Sequence, residues 1–167
     1  SYELIIGAWG YKYMALNDFK FDATTGNTFE LTPGIEDNFA LDLGWEVNGD
    51  AETGIWVRDI PIPTSRNGIA VNVNADIEGD IGSECYMTGN GGGDAASDDV
   101  DNGVTRLLSP KFDVSGYQDP VLQYNAWFTI GGGQGPINDT MFIRIWDKTT
   151  LTTLGMYTES TGGWTDV

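Results

Sequence analysis

Short apolar runs separated by turn residues dominate the hydrophobic pattern of this chain. From residue 39 onward they alternate with stretches rich in Gly, Asn, Asp and Pro, and no window shows the 3.6-residue stripe of an amphipathic helix. Such spacing is typical of a β-sandwich or a β-barrel, so the pattern predicts an all-β protein. The runs are Phe39–Leu43, Ile55–Val57, Ile69–Val73, Cys85–Met87, Thr105–Leu108, Val121–Phe128, Met141–Trp146 and Leu151–Tyr157.

The run that begins at Met141 alternates most clearly. In an extended chain Met141, Ile143 and Ile145 point to one side, while Phe142 and Trp146 point to the other. We therefore expect one face of this strand to carry exposed aromatic side chains.

The opening of the chain predicts two strands of a separate unit. Tyr2–Ile6 is an apolar run with two isoleucines, and Gly7–Tyr13 ends with aromatic residues at every second position. A Thr-Pro-Gly turn at residues 32–34 then interrupts the pattern. We expect a domain boundary here, with residues 1–32 on one side and residues 33–167 on the other.

Composition narrows the class of protein. The 167 residues include 40% hydrophobic and 12% aromatic residues, which is enough apolar material for one folded domain with part of a neighbour. There are 25 acidic against 8 basic residues, a net charge of −17. This charge argues against nucleic acid and anionic membrane surfaces as partners. No apolar run approaches the length of about 18 residues that a membrane-spanning helix needs, so membrane insertion is not expected.

Two residue types limit the chemistry. The chain has no histidine, which excludes Ser-His-Asp and Cys-His nucleophilic sites and the usual zinc site of metallopeptidases. A glycosidase needs only two carboxylates, but no pair stands out. The single cysteine, Cys85, cannot form an internal disulfide, and we expect a buried thiol with a structural role. These residues exclude the histidine-dependent catalytic designs and leave a two-carboxylate site open.

The strongest chemical signal lies between Gly89 and Asp113, where a glycine run leads into several Asp residues and then into an apolar strand. Ca²⁺ takes six to eight oxygen ligands at about 2.3–2.6 Å, so it needs carboxylates and carbonyls on a backbone that is free to wrap. Asp99 and Asp101 are separated by one residue and point the same way if the chain is extended. We predict that they are the leading ligands of a structural Ca²⁺ ion.

Five further acids are candidate ligands. Asp94 and Asp98 lie in the same loop, Asp139 follows a second glycine-rich run, and Glu36 and Asp37 precede the first apolar run beyond the predicted boundary. The segment lacks the Gly-then-Glu completion of an EF-hand loop. For each of these acids the alternative is a solvated side chain in a loop.

An ordered set of short motifs resembles the MAM-like jelly-roll modules of secreted bacterial metalloproteases and of cleaved-adhesin-like proteins. The set extends from about Gly34 to the end of the chain and is more specific than any one motif. The motifs are Asp37-Asn-Phe39, Leu43-Gly-Trp45, Thr53-Gly-Ile-Trp-Val-Arg58, Cys85-Tyr-Met-Thr-Gly-Asn90, Asp99-Val-Asp-Asn-Gly-Val-Thr105, Leu108-Ser-Pro110 and Pro120-Val-Leu-Gln-Tyr-Asn-Ala-Trp-Phe128.

The resemblance implies a jelly-roll β-sandwich over residues 33–167 that lacks its closing strands. It implies that residues 1–32 are the terminal strands of a preceding small β-sandwich. It further implies a non-catalytic accessory or adhesion module, secreted or at the cell surface, beside a peptidase in the same polypeptide. Expected partners are a protein or polysaccharide ligand and the neighbouring domains of the chain.

Two other functions stay open at the level of sequence. One is a carbohydrate-binding domain, for which Trp146 and Trp164 are the candidate ligand-binding residues because polar residues flank them. Trp45, Trp56 and Trp127 fall within apolar runs and are expected in the core. The other is a subunit of a surface filament, in which a partner strand completes an open sheet edge.

Overall fold

The computed structural model describes residues 2–131 and 138–167. These residues contain twelve strands and one four-residue helix, α1, at Ala95–Asp98, which confirms the prediction of an all-β protein. The strands are β1 Tyr2–Ile6, β2 Met14–Phe19, β3 Glu46–Gly49, β4 Trp56–Asp59, β5 Thr64–Arg66, β6 Ile69–Asn72, β7 Cys85–Thr88, β8 Thr105–Leu108, β9 Asn125–Ala126, β10 Met141–Trp146, β11 Leu151–Tyr157 and β12 Thr165–Asp166.

Two further sequence expectations concern the second glycine-rich run and membrane-spanning helices. Most of the second glycine-rich run, residues 131–136, lies outside the described residues. Within the described residues no helix is long and apolar enough to cross a bilayer.

The strands pair antiparallel and two by two. In the middle of the chain the pairs are nested, because β3 pairs with β8, β4 with β7, and β5 with β6. In the same way, the β9–β12 pair encloses the β10–β11 hairpin. Among the described residues no strand has hydrogen-bonded neighbours on both sides, so the structure consists of several two-stranded sheets.

The hydrophobic core is small and lies beside β7. Its buried members are Val73, Cys85 and Met87. Val57 from β4 packs against them, and so do Trp127 and Trp164, which flank the β9–β12 pair. Burial raises the pKa of the Cys85 thiol to about 12, so the thiol is uncharged and the prediction of a buried thiol is confirmed.

Aromatic side chains join the opening hairpin to the rest of the molecule. The Trp9 indole packs edge-to-face on Trp45, with ring centroids 6.2 Å apart, and is tilted against Phe112 at 6.5 Å. Its Nε1 donates to the Lys111 carbonyl at 2.8 Å. These contacts cross the boundary that the sequence predicts between residues 32 and 33.

The prediction of a strand over Gly7–Tyr13 is wrong. Gly10 adopts a left-handed backbone conformation (φ 88°), and the chain turns at this point instead of continuing extended. Only Tyr11 forms a bridge, to Pro33, and the partner of β1 is β2. The aromatic residues at every second position therefore belong to a turn.

Two other apolar runs form less strand than the pattern indicates. The run Phe39–Leu43 is a bend, and Phe39 itself has a positive φ of 62°, which is incompatible with a strand. Within Val121–Phe128 only the two residues of β9 pair with another strand.

Candidate functional site

The predicted calcium loop contains α1, and Asp94 is its N-cap. One Asp94 oxygen accepts from the Ala96 backbone N–H at 3.1 Å, and the other accepts from the Ser97 hydroxyl at 3.2 Å. Such capping satisfies backbone donors that the first helical turn leaves free. The Asp94 carboxylate therefore has a local structural role in this conformation.

Asp98, at the end of α1, is enclosed by the glycine run and is only 4% exposed. Its Oδ1 accepts from the Gly91 backbone N–H at 2.6 Å, whereas its Oδ2 is buried and has no hydrogen-bond partner among the described residues. The chain can wrap this closely because Gly89 has a φ of +69°, and a Cβ there would lie 2.9 Å from Asp98 Oδ1. One buried carboxylate oxygen is thus left unsatisfied.

Asp99, Asp101 and Asp139, from two segments distant in sequence, influence one another electrostatically, and we call them the acidic cluster. Partial burial raises the pKa of Asp99, and the negative charges of Asp101 and Asp139 raise it further, against a smaller opposing effect of Arg66. Asp139 is exposed, but partial desolvation and then the charge of Asp101 raise its pKa as well. Neighbouring negative charge therefore makes ionisation of Asp99 and Asp139 less favourable.

Hydrogen bonds to main-chain carbonyls hold the loop against residues 52 and 53. The Thr53 hydroxyl donates to the Asp99 carbonyl at 2.8 Å, and the Glu52 N–H donates to the Asp101 carbonyl at 3.0 Å. Both aspartates thus have their main-chain carbonyls fixed next to β4. The side chains extend from this anchored backbone.

The acidic cluster does not form a closed metal cage as it stands. In the part of the chain that the structure describes, no group of three or more His, Cys, Asp or Glu side chains is arranged to hold a metal ion. Charge effects reach much farther than the 2.3–2.6 Å of a Ca²⁺ ligand bond, which explains how the carboxylates influence one another without converging. A bound cation would have to draw them together.

Asp37 lies in a different environment from the acidic cluster. Its carboxylate accepts three hydrogen bonds: from Trp45 Nε1 at 2.7 Å, from the Tyr13 hydroxyl at 2.8 Å and from the Phe39 N–H at 2.9 Å. Burial, and then the hydrogen bond and charge of Asp37, raise the pKa of Tyr13. The neighbouring Glu36 is exposed. Neither acid is among the charges that raise the Asp99 pKa.

A second acidic loop, which was not predicted as a site, lies between β6 and β7. The pKa of Asp76 is raised by burial and then by the charges of Asp80 and Glu84, although the hydrogen bond from the Ile77 N–H lowers it. Asp76 Oδ2 is buried without a partner among the described residues. The signal available in the sequence was the spacing of acids in Asp76-Ile-Glu-Gly-Asp80.

The exposed aromatics predicted for β10 are present. Trp146 is 62% exposed and Phe142 is 43% exposed, on the same face of the hairpin. The Arg144 guanidinium lies over the Phe142 ring, 4.1 Å from its centroid. Across the hairpin, Leu151 and Met156 pair with these aromatics and are also exposed. We call this surface the hairpin face.

The other tryptophans are half-buried rather than fully buried or fully exposed. Trp45 and Trp56, expected in the core, keep part of their surface accessible. Trp164 lies beside Trp127 in a groove of about 430 Å³ that Ser65, Asn72 and Asn74 also line. The apolar run around Trp127 predicts a core position only, whereas the alternation of Val and Asn at residues 71–74 is the sequence signal for the polar side of the groove.

Comparison with known proteins finds no matching family model, no similar curated protein and no similar solved structure.

Proposed function

We propose that this chain is a non-catalytic, calcium-stabilised accessory or adhesion module of a secreted or surface-exposed multidomain protein, and that the parent protein carries a peptidase domain. The observation that carries the proposal is an acidic loop with an anchored backbone: Thr53 and Glu52 hold the Asp99 and Asp101 carbonyls, and the charges of Asp101 and Asp139 raise the pKa of Asp99. The lack of histidine in the chain supports a non-catalytic role, since it removes the commonest general base at neutral pH.

The nested strand order supports a MAM-like jelly-roll sandwich as the architecture. A jelly roll contains two Greek keys, and it can be regarded as a long antiparallel ribbon folded over on itself. The pairs β3–β8, β4–β7 and β5–β6 have the order of such a ribbon, with each pair enclosing the next. In the proposed fold these pairs are the parts of two facing sheets.

The donor set of the acidic cluster suits calcium. Three carboxylates, together with the orphaned Oδ2 of Asp98 in the same loop, are hard oxygen donors of the kind that Ca²⁺ prefers. Bound calcium would supply positive charge where the chain concentrates negative charge. It would also tie the loop before β8 to the segment before β10, and so oppose the entropy that this loop gains on unfolding.

The hairpin face supports a role in contact with another macromolecule. Its exposed Phe142, Trp146 and Met156 are residue types enriched at the centres of protein interfaces. Its partner would be a neighbouring domain or an adhesion target. This surface lies on β10 and β11, and β10 begins at Met141, two residues after Asp139. Calcium at the acidic cluster would therefore also order the base of the hairpin.

Thermal unfolding with and without calcium tests the proposal. We expect millimolar Ca²⁺ to raise the Tm relative to EDTA by roughly 5–10 °C, because ligand at 100 times its Kd adds about 2.7 kcal/mol to the free energy of unfolding. The shift should be lost in an Asp99→Ala, Asp101→Ala double variant. Glu159→Gln, which removes one exposed acid outside the cluster, is the matched control and should keep it.

A Tm that is equal in Ca²⁺ and in EDTA, after verified removal of metal, would contradict the calcium proposal. A shift that the double variant retains would contradict the assignment to the acidic cluster, and would direct attention to the loop of Asp76 and Asp80.

A further inference from the structure

The groove beside the core has two neighbouring indoles as one wall. Ala126 pairs with Thr165 in the antiparallel β9–β12 ladder. Trp127, which follows Ala126, and Trp164, which precedes Thr165, therefore lie opposite each other. Directly paired positions place their side chains on the same face. The Trp164 Nε1 donates to the Ala75 carbonyl at 3.4 Å, which fixes the indole at the edge of the groove.

Four uncharged polar side chains, together with Pro63, Ala70, Val73 and Gly163, form the rest of the groove. Thr64 and Asn72 are 2% and 5% exposed and lie at its base. Gly93 N–H donates to Thr64 Oγ1 at 3.1 Å, which anchors the base to the glycine run. Ser65 and Asn74 lie at the rim and are exposed to solvent.

The groove carries no charge in a strongly acidic molecule. Among the residues that the structure describes, ten line the groove and none of them is Asp, Glu, Lys or Arg, although 25 of the 167 residues of the chain are acidic. A cationic ligand would find no carboxylate here, and an anionic ligand would find no basic group and would meet the repulsion of the net charge of −17. The lining therefore fits an uncharged ligand.

We propose that this groove binds a neutral saccharide. Indole faces are broad and apolar, and they match the C–H faces of a sugar ring. Ser, Thr and Asn each donate and accept hydrogen bonds, as sugar hydroxyls do. The volume of about 430 Å³ lies within the range of about 300–1,000 Å³ that small-molecule sites occupy.

The inference rests on the proposed binding module and names a class of ligand for it. Titration of neutral tetrasaccharides, namely cellotetraose, xylotetraose and mannotetraose, should quench tryptophan fluorescence for at least one of them. Charged trigalacturonate should bind at least tenfold more weakly. Trp164→Ala should weaken the binding by roughly tenfold or more, because it removes a stacking face.

Two further variants keep the test decisive. Trp164 also packs against the core, so Asn74→Ala serves as a second groove variant at an exposed position, and it should weaken binding by roughly threefold to tenfold. Tyr117→Ala removes an aromatic that is 52% exposed and lies outside both the groove and the hairpin face, so it should leave the saccharide Kd unchanged. Circular dichroism confirms that each variant is folded.

The inference is overturned if none of the three neutral saccharides binds, if trigalacturonate binds as tightly, or if the groove variants bind as the wild type does. A Tm measurement in Ca²⁺ and EDTA on the same samples separates this failure from that of the calcium proposal. Calcium stabilisation without saccharide binding rejects the groove alone, and saccharide binding without calcium stabilisation rejects the calcium site alone.

Discussion

Asp37 and Asp99 are the same residue type in opposite electrostatic situations. Asp37 accepts hydrogen bonds from Tyr13, Trp45 and the Phe39 backbone, with all three distances below 3.0 Å. Asp99 is half-buried beside Asp101 and Asp139, and their negative charges raise its pKa. The Asp37 carboxylate accepts from three donors, whereas the Asp99 carboxylate is influenced by two other negative charges.

The difference separates structural acids from candidate ligands. Three directed donors satisfy a carboxylate without any ion, and they join the opening hairpin to the body of the molecule. A group of carboxylates that repel one another reduces the free energy of unfolding when the protein is alone, and it gains stability when a cation binds. Removing the satisfied carboxylate of Asp37 should therefore lower the free energy of unfolding. Removing a carboxylate of the acidic cluster should raise it when no calcium is present.

The largest expected effect is that of Asp37→Ala. The change leaves the Tyr13 hydroxyl, the Trp45 indole N–H and the Phe39 N–H without their acceptor, and we expect a loss of roughly 2–4 kcal/mol in the free energy of unfolding. Urea unfolding measures it. Glu36→Ala, at the exposed neighbouring acid, should change the value by no more than about 0.5 kcal/mol. Equal losses in the two variants would contradict the structural role of the Asp37 carboxylate.

The next effect is that of Asp139→Asn, and its sign depends on calcium. Without calcium the variant loses a repelling charge, so it should be more stable than the wild type by a few tenths of a kcal/mol. In millimolar Ca²⁺ it should be less stable, because the wild type alone gains up to about 2.7 kcal/mol from the ion. Thermal unfolding in both buffers checks this crossover, and a variant less stable in both would contradict it.

Tyr13→Phe should have a smaller effect than Asp37→Ala. It removes one hydrogen bond of 2.8 Å and keeps the ring, so we expect a loss of about 1 kcal/mol. In the Asp37→Ala background the same change should cost much less, since the acceptor is already absent. Losses that add independently in this double-mutant cycle would show that the two groups do not interact.

The smallest effect is a dependence of stability on pH. The raised pKa values of Asp99 and Asp139 mean that the folded state holds protons more tightly than the unfolded state. In EDTA their contribution is fully present below the ordinary value of 3.8 and is lost as the pH rises through their raised pKa values. In Ca²⁺ stability should instead rise over this range, because the ion requires ionised ligands.

The difference between the wild type and Asp139→Asn isolates this contribution, because Asp113 and Asp147 have lowered pKa values and give the opposite slope. We expect the Tm of the variant in EDTA to decrease less steeply above pH 4 than that of the wild type. Identical pH profiles would show that the acidic cluster does not titrate as a coupled group.

Local patterns in the sequence predicted some strands accurately. The strands β8, β10 and β11 begin and end where the apolar runs at Thr105, Met141 and Leu151 do. Side-chain alternation and strand-forming residues agree in these segments. The polar strand β5, Thr64–Arg66, was missed because it contains no apolar run, although Asn67-Gly68 after it, with positive φ at both residues, is typical of a tight hairpin turn.

The candidate ligands were predictable from the sequence, but the surroundings of each carboxylate were not. The spacing of Asp99 and Asp101 is visible in the chain, whereas the approach of Asp139 depends on the fold. The three donors of Asp37 come from residues 13, 39 and 45, so no local pattern shows that its carboxylate is already satisfied. Similarly, Trp127 and Trp164 become neighbours only through the pairing of β9 with β12.

Calorimetric titration of calcium into the metal-free protein at pH 7 tests the central claim most directly. The wild type and the Glu159→Gln control should each bind one Ca²⁺ ion at the acidic cluster, and Asp101→Asn should bind it at least tenfold more weakly. Absence of calcium binding in the wild type, or binding of equal strength in Asp101→Asn, would contradict the account.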